Sequence, residues 1–150
     1  MTVPERIPPR SETLDRVVHV LSVSGFEEDH ESLRSVFQRS NWIVSEARLV
    51  DEALTLLAAH QPAIVLCEER LPDGTWRDVL EGCSRLSRPP RLIVTSTRGD
   101  ERLWAEVLNL GAYDLLLKPF EREEVSHVIS IAWLHWREEQ QARLVAKAAG

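Results

Sequence analysis

The chain is poor in several residue types, and each scarcity excludes something. It has two cysteines, one methionine, one tyrosine and two lysines, set against sixteen arginines. Two cysteines, Cys67 and Cys83, make one bridge at most, so no disulfide-stapled scaffold is available. Both fall inside expected regular elements and read as reduced core residues. No apolar run approaches the roughly 18 residues of a membrane span. The first sixteen residues lack an apolar h-region, so no secretion signal is expected and the location expected is cytoplasmic. The net charge is −6, without the basic excess of a nucleic-acid-binding domain. The turn Ser22-Val-Ser-Gly25-Phe26 lacks the G-x-G-x-x-G pattern of a phosphate-cradling loop. Ser24 has His19 and His30 near it in sequence, but nothing supplies an oriented triad, so no hydrolase is expected.

What is present fits one domain with a sizeable core: 150 residues, 43% hydrophobic and 28% charged. Residues 1–16 hold Pro4, Pro8 and Pro9 with balanced charge and read as a flexible lead. Residues 137–150 are polar and alanine-rich and are expected to extend the last helix. Between them, residues 17–136 carry 12 basic and 19 acidic side chains, a net −7. The acidity therefore belongs to the globular part.

Within 17–136, strand and helix signals alternate. Strands are expected at Val17–Val23, Trp42–Ala47, Ala63–Cys67, Leu92–Thr95 and Asp114–Leu117. Helices are expected over Glu27–Arg39, from Val50 to a stop at Gln61-Pro62, from Thr75, over Asp100–Leu110, and from Glu121 onward. Thr75 followed by Asp78 resembles a capping box. Gly111 is placed to end the fourth helix. Strands separated by helices imply βαβ units, hence a three-layer α/β fold with a doubly wound parallel sheet. In such sheets chemistry sits beyond the carboxyl ends of the strands. Those ends hold Ser24-Gly25, Glu68, Thr95-Ser96 and Lys118-Pro119. Lys118 is the only lysine in the globular part, and an ammonium is a compact charge suited to phosphate or carboxylate.

Three segments carry a family resemblance: Pro62-Ala-Ile-Val-Leu-Cys-Glu68-Glu-Arg-Leu-Pro72-Asp-Gly74, Leu92-Ile-Val-Thr95-Ser96, and Gly111-Ala-Tyr-Asp-Leu-Leu-Leu-Lys118-Pro119-Phe120. From about Val17 to Trp136 the chain resembles a response-regulator receiver domain. The resemblance implies a flavodoxin-like (βα)5 fold with strand order 2-1-3-4-5. It also implies a receiver over 17–136 and a place in phosphorelay signalling, with no enzyme activity of its own; the receiver is expected to stand alone unless the sequence is a piece of something longer. Its partner would be a histidine kinase or a downstream regulator.

Carried over residue by residue, the family's site is only partly present. Thr95 and Lys118 match the groups that contact a phosphoryl group. Glu68 stands where the phosphorylated aspartate belongs. Ser24 and Gly25 stand where an acid pair would help hold Mg²⁺, and Leu115 stands where an aromatic would switch. Mg²⁺ wants hard oxygen ligands in strict octahedral geometry, and a hydroxyl and a glycine replace two carboxylates poorly. Glu68 is also one methylene longer than aspartate, and a misplacement of about 1 Å can cost on the order of 10²-fold. Either Glu68 stands in permanently for a phosphoryl group, or it simply neutralises Lys118. No metal or other cofactor is expected unless the site is a working phosphoacceptor, which would use Mg²⁺.

Glu27, Glu28 and Asp29 follow the strand end closely and could replace the lost metal ligands. The plainer reading makes them first-turn acids favoured by the helix dipole. The remaining surface is that of helix 4, strand 5 and helix 5. Leu103, Val107, Val125, Val128, Ile129 and Ala132 form core stripes there. Trp104, Leu108, Trp133 and Trp136 are left as a candidate docking or homodimer face.

Overall fold

The computed structural model describes residues 18–38 and 40–149. The expected N-terminal lead, Val17, Arg39 and Gly150 lie outside the described residues.

Five strands form one parallel sheet: β1 (Val18–Val23), β2 (Trp42–Ala47), β3 (Ile64–Glu68), β4 (Arg91–Ser96) and β5 (Asp114–Leu117). Their order is β2-β1-β3-β4-β5, every neighbouring pair is parallel, and the expected topology is the one observed. The helices between them are α1 (Glu27–Phe37), α2 (Val50–His60), α3 (Trp76–Ser84), α4 (Glu101–Asn109) and α5 (Arg122–Ala149). Arg70–Leu71 and Gly74–Thr75 add a two-residue antiparallel ladder between β3 and α3.

The core falls into two clusters, one on each face of the sheet, as a doubly wound sheet requires. On one face Leu57 of α2, Trp76 and Val79 of α3, and Leu103 and Val107 of α4 pack over Val65, Cys67, Leu92 and Val94. On the other, Leu33 and Phe37 of α1 and Val125, Ile129 and Ala132 of α5 pack over Ile64, Leu66, Ile93 and Leu116. Alternate residues of β3, β4 and β5 thus serve opposite faces. That alternation directs Glu68, Thr95 and Lys118 to the α1/α5 side and Leu115 to the other.

Local chemistry accounts for the element ends. Thr75 caps α3 by accepting from the Arg77 N–H at 3.2 Å, while Asp78 accepts from the Thr75 N–H at 3.0 Å. Asp100 caps α4 through the Leu103 N–H at 2.8 Å. Gly111 follows α4 with φ +99°, a conformation that favours glycine. The final helix continues from Trp136 to Ala149, as the C-terminal composition implies. Both cysteines are free and buried, and burial pushes their thiols up, that of Cys83 to about 12.

Candidate functional site

The carboxyl ends of β1, β3 and β5 converge with the first turn of α1. Glu68, the last residue of β3, is 7% exposed, and the register pairs it with Thr95 on β4. Lys118 follows β5 directly, its N–H donating to the Ser96 carbonyl at 2.9 Å. Its ammonium Nζ donates to Glu68 Oε1 at 2.5 Å and to Asp29 Oδ2 at 2.9 Å. Two carboxylates therefore hold one ammonium, and all three side chains are about nine-tenths buried. Burial alone pulls the Lys118 ammonium down. The hydrogen bonds to Glu68 and Asp29 outweigh it, and the net direction is up.

The second oxygen of Glu68 is also engaged, accepting from the Glu69 N–H at 2.7 Å. Asp29 Oδ2 accepts from the Ser24 hydroxyl at 2.6 Å, and Ser24 Oγ in turn accepts from the Phe26 N–H at 3.0 Å. Beneath them the buried ring of His30 bridges the Ser22 hydroxyl at 2.9 Å and the Ser24 carbonyl at 2.8 Å. His30 is thus tied into the turn after β1. His19 lies exposed at the far end of that strand, so the two histidines are not brought together. The Phe26 ring lies 5.0 Å from Lys118 Nζ, within cation–π range.

A cleft of about 930 Å³ opens above this centre, lined among others by Phe26, Asp29, Glu68, Glu69, Ser96 and Lys118. Glu69 points into the cleft as well. Its carboxylate accepts from the Ser96 hydroxyl at 2.9 Å and pairs with Arg98 at 2.5 Å. Burial raises that carboxyl, but Arg98 and Ser96 more than reverse the effect and hold it low.

Asp29 stands in the first turn of α1 with Glu27 and Glu28, as the plainer reading has it, but its contacts differ from theirs. Glu27 pairs with Arg34 and Arg48 at the surface. Asp29, from the same turn, instead reaches the centre. The signal was available in the sequence, because Asp29 sits four residues before Leu33, on the buried stripe of α1.

The other named positions are equally definite. Thr95 is 3% exposed, beside Glu68 but not among the residues lining the cleft. Gly25 lies against Pro72, whose ring carbons stand 3.3 Å from where a Cβ would be. Leu115 is buried in the cluster under α2, α3 and α4. Trp76 is fully buried on that same face and does not line the cleft.

The candidate docking face divides. Trp104 and Leu108 are 45% and 44% exposed, one turn apart on α4, and Leu117 of β5 is 44% exposed. Trp133 and Trp136 do not join them. They pack half-buried against the α1/α5 cluster and line a cleft near the amino ends of the strands. Among the described residues no group of three or more His, Cys, Asp or Glu could hold a metal ion. None of the described helices is long and apolar enough to cross a membrane.

A five-stranded doubly wound sheet with an acid, a buried threonine and a lysine at its carboxyl end defines a receiver-type α/β domain. The sequence profile of the response regulator receiver domain matches residues 20–130, and the chain belongs to that family. The photosynthetic apparatus regulatory protein RegA of Cereibacter sphaeroides is 27% identical over 97 residues, which cover 65% of this chain and 53% of RegA. The KDP operon transcriptional regulatory protein KdpE of Escherichia coli is 28% identical over 116 residues, covering 77% of this chain and 51% of KdpE. The chain thus spans about half the length of these two relatives. In structure it is similar to the signal receiver domain of an HD domain-containing protein from Pseudomonas fluorescens. The TM-score is 0.77 at 24% identity, covering 84% of this chain and 93% of the other. Receiver domains are signalling modules of two-component systems, and the family places this chain in signal transduction.

Proposed function

We propose that this receiver works as a protein-docking module whose centre does not accept a phosphoryl group. The observation that carries the reading is Lys118 Nζ, held at once by Glu68 and Asp29. In this arrangement the would-be acceptor already has a cation on one oxygen and a backbone N–H on the other. An incoming phosphoryl group would have to displace both while adding charge of about −1.5 to −2.

Mg²⁺, which the family's chemistry implies, fits this donor set poorly. The near oxygens of Asp29 and Glu68 both face the ammonium, and the Ser24 hydroxyl is committed as a donor to Asp29. An octahedral ion that keeps much of its hydration shell would have to enter between groups already paired. The crowding of Gly25 against Pro72 bears on the same point, because an acid there has no ready room.

The test is incubation with a small phosphodonor and Mg²⁺, read by intact mass. No gain is expected. A stable gain of one phosphoryl group, abolished in Glu68→Ala, would overturn the reading and make the domain a phosphoacceptor for a histidine kinase. The docking face proposed is Trp104, Leu108 and Leu117 on α4 and β5, and its occupant is a histidine kinase or downstream regulator. A second copy of the chain in a homodimer is the competing occupant. Partner capture that survives Trp104→Ala combined with Leu108→Ala would remove this face from the reading.

A further inference from the structure

The cleft near the amino ends of the strands differs in charge from the rest of the molecule. It has a volume of about 680 Å³, within the range of small-molecule sites. Among the described residues its lining includes Arg88, Arg137, Arg143 and Lys147 but no aspartate or glutamate, in a chain of net charge −6. The side chains of Arg88 and Lys147 make no ion pair or hydrogen bond among the described residues. Arg137 lies over the Trp133 ring at 5.4 Å. Arg143 donates to the Ser87 carbonyl at 2.9 Å and is 3.7 Å from Glu139, a carboxylate that also serves Arg91 at 3.3 Å. A concave, one-sign lining of this kind concentrates counter-ions.

A second observation at the same place is independent of charge. Trp136 Nε1 and Gln140 Nε2 belong to residues lining the cleft, and both nitrogens are buried without a hydrogen-bond partner among the described residues. Buried polar groups are ordinarily paired, so each such exception calls for an explanation. Both orphans are donors and the nearby charges are positive, so what the cleft lacks is an anionic acceptor. Water can accept at these positions but brings no charge. A group with several charged oxygens answers both needs.

We propose that this cleft is a binding site for a small anion carrying linked phosphoryl groups, of pyrophosphate size or larger. Arg88, Arg143 and Lys147 supply the charge, and Trp136 and Gln140 supply neutral donors once their side chains turn into the cleft. Such a ligand joins α5, which carries Arg137, Gln140, Arg143 and Lys147, to the loop before β4, which carries Ser87 and Arg88. It therefore fixes the C-terminal extension of α5 against the domain. The proposal does not depend on the state of Lys118, which lies at the opposite end of the sheet.

The experiment is isothermal titration calorimetry of the full chain with sodium pyrophosphate, and separately with ADP, at constant ionic strength. Saturable one-to-one binding is expected, weakening about tenfold or more in Arg88→Gln combined with Lys147→Gln, two exposed changes that spare the fold. Equal affinity for both probes identifies the pyrophosphate unit as the ligand; tighter ADP binding adds a nucleoside stacked near Trp133. Amide hydrogen exchange over residues 137–147 should slow with ligand and stay unchanged in the double variant. The proposal is overturned by no saturable heat, by binding that the double variant retains in full, or by an equal response to sodium sulfate.

Discussion

The two ends of this sheet handle buried N–H donors in opposite ways. At the carboxyl end the Lys118 ammonium meets Glu68 and Asp29, and Asp29 and Ser24 are themselves hydrogen-bonded. At the amino end, among the described residues, Trp136 Nε1 and Gln140 Nε2 have no partner, and the cations around them find little carboxylate. The contrast teaches where to look for a response. A closed network resists an incoming group, because that group must first break charge-assisted bonds. An open set of donors offers a ligand its bonds without that cost. The end where the family keeps its chemistry is here the more self-satisfied of the two.

The comparison is tested hardest by removing the ammonium. Lys118→Met leaves two nearly buried carboxylates facing each other with no cation. Breaking a buried charge set in this way costs about 3–5 kcal/mol. Urea denaturation should show a midpoint shift of that size with an unchanged slope. A loss under about 1 kcal/mol would mean that water already serves these carboxylates and that the network is not closed.

Much of this arrangement was legible in the residues. The βα alternation, the caps at Thr75 and Gly111, and the meeting of Glu68 with Lys118 all follow from local patterns, because strand ends and turns are encoded by nearby residues. Asp29 was less legible. Its neighbours Glu27 and Glu28 have the same chemistry, and only its place four residues before Leu33, on the buried stripe of α1, marks it as the carboxylate that turns inward. Trp133 and Trp136 were harder still. From the sequence they group with Trp104 and Leu108 as one candidate face, and only the packing of α5 against the sheet sends them to the amino-end cleft.

A pH titration sharpens the comparison by a smaller effect. The folded-state pKa of Lys118 is raised above its ordinary 10.5. The stability it supplies is therefore fully present below the ordinary value and is lost as pH climbs through the raised one. Arginines stay charged throughout this window, so Arg88, Arg137 and Arg143 of the amino-end cleft contribute nothing to the slope. Denaturation midpoints measured between neutral and strongly alkaline pH should fall at the upper end. The difference between the chain and Lys118→Met should shrink there. A difference that stays constant to high pH would show that the ammonium is not what the two carboxylates require.

The smallest effect is expected at the amino end and tests the other half of the contrast. Trp136→Phe removes the unpartnered indole N–H while keeping an aromatic ring against the α1/α5 cluster. Two terms oppose one another. The smaller ring loses packing and apolar burial, which ordinarily costs about 1–2 kcal/mol for a change of this kind. Deleting a buried donor that bonds to nothing recovers a desolvation penalty of about 1–3 kcal/mol. The sum should be close to neutral, within about 1 kcal/mol of the parent in urea denaturation. A loss as large as that of Lys118→Met would mean that Nε1 is satisfied in solution. The two ends of the sheet would then be alike in how they treat their donors.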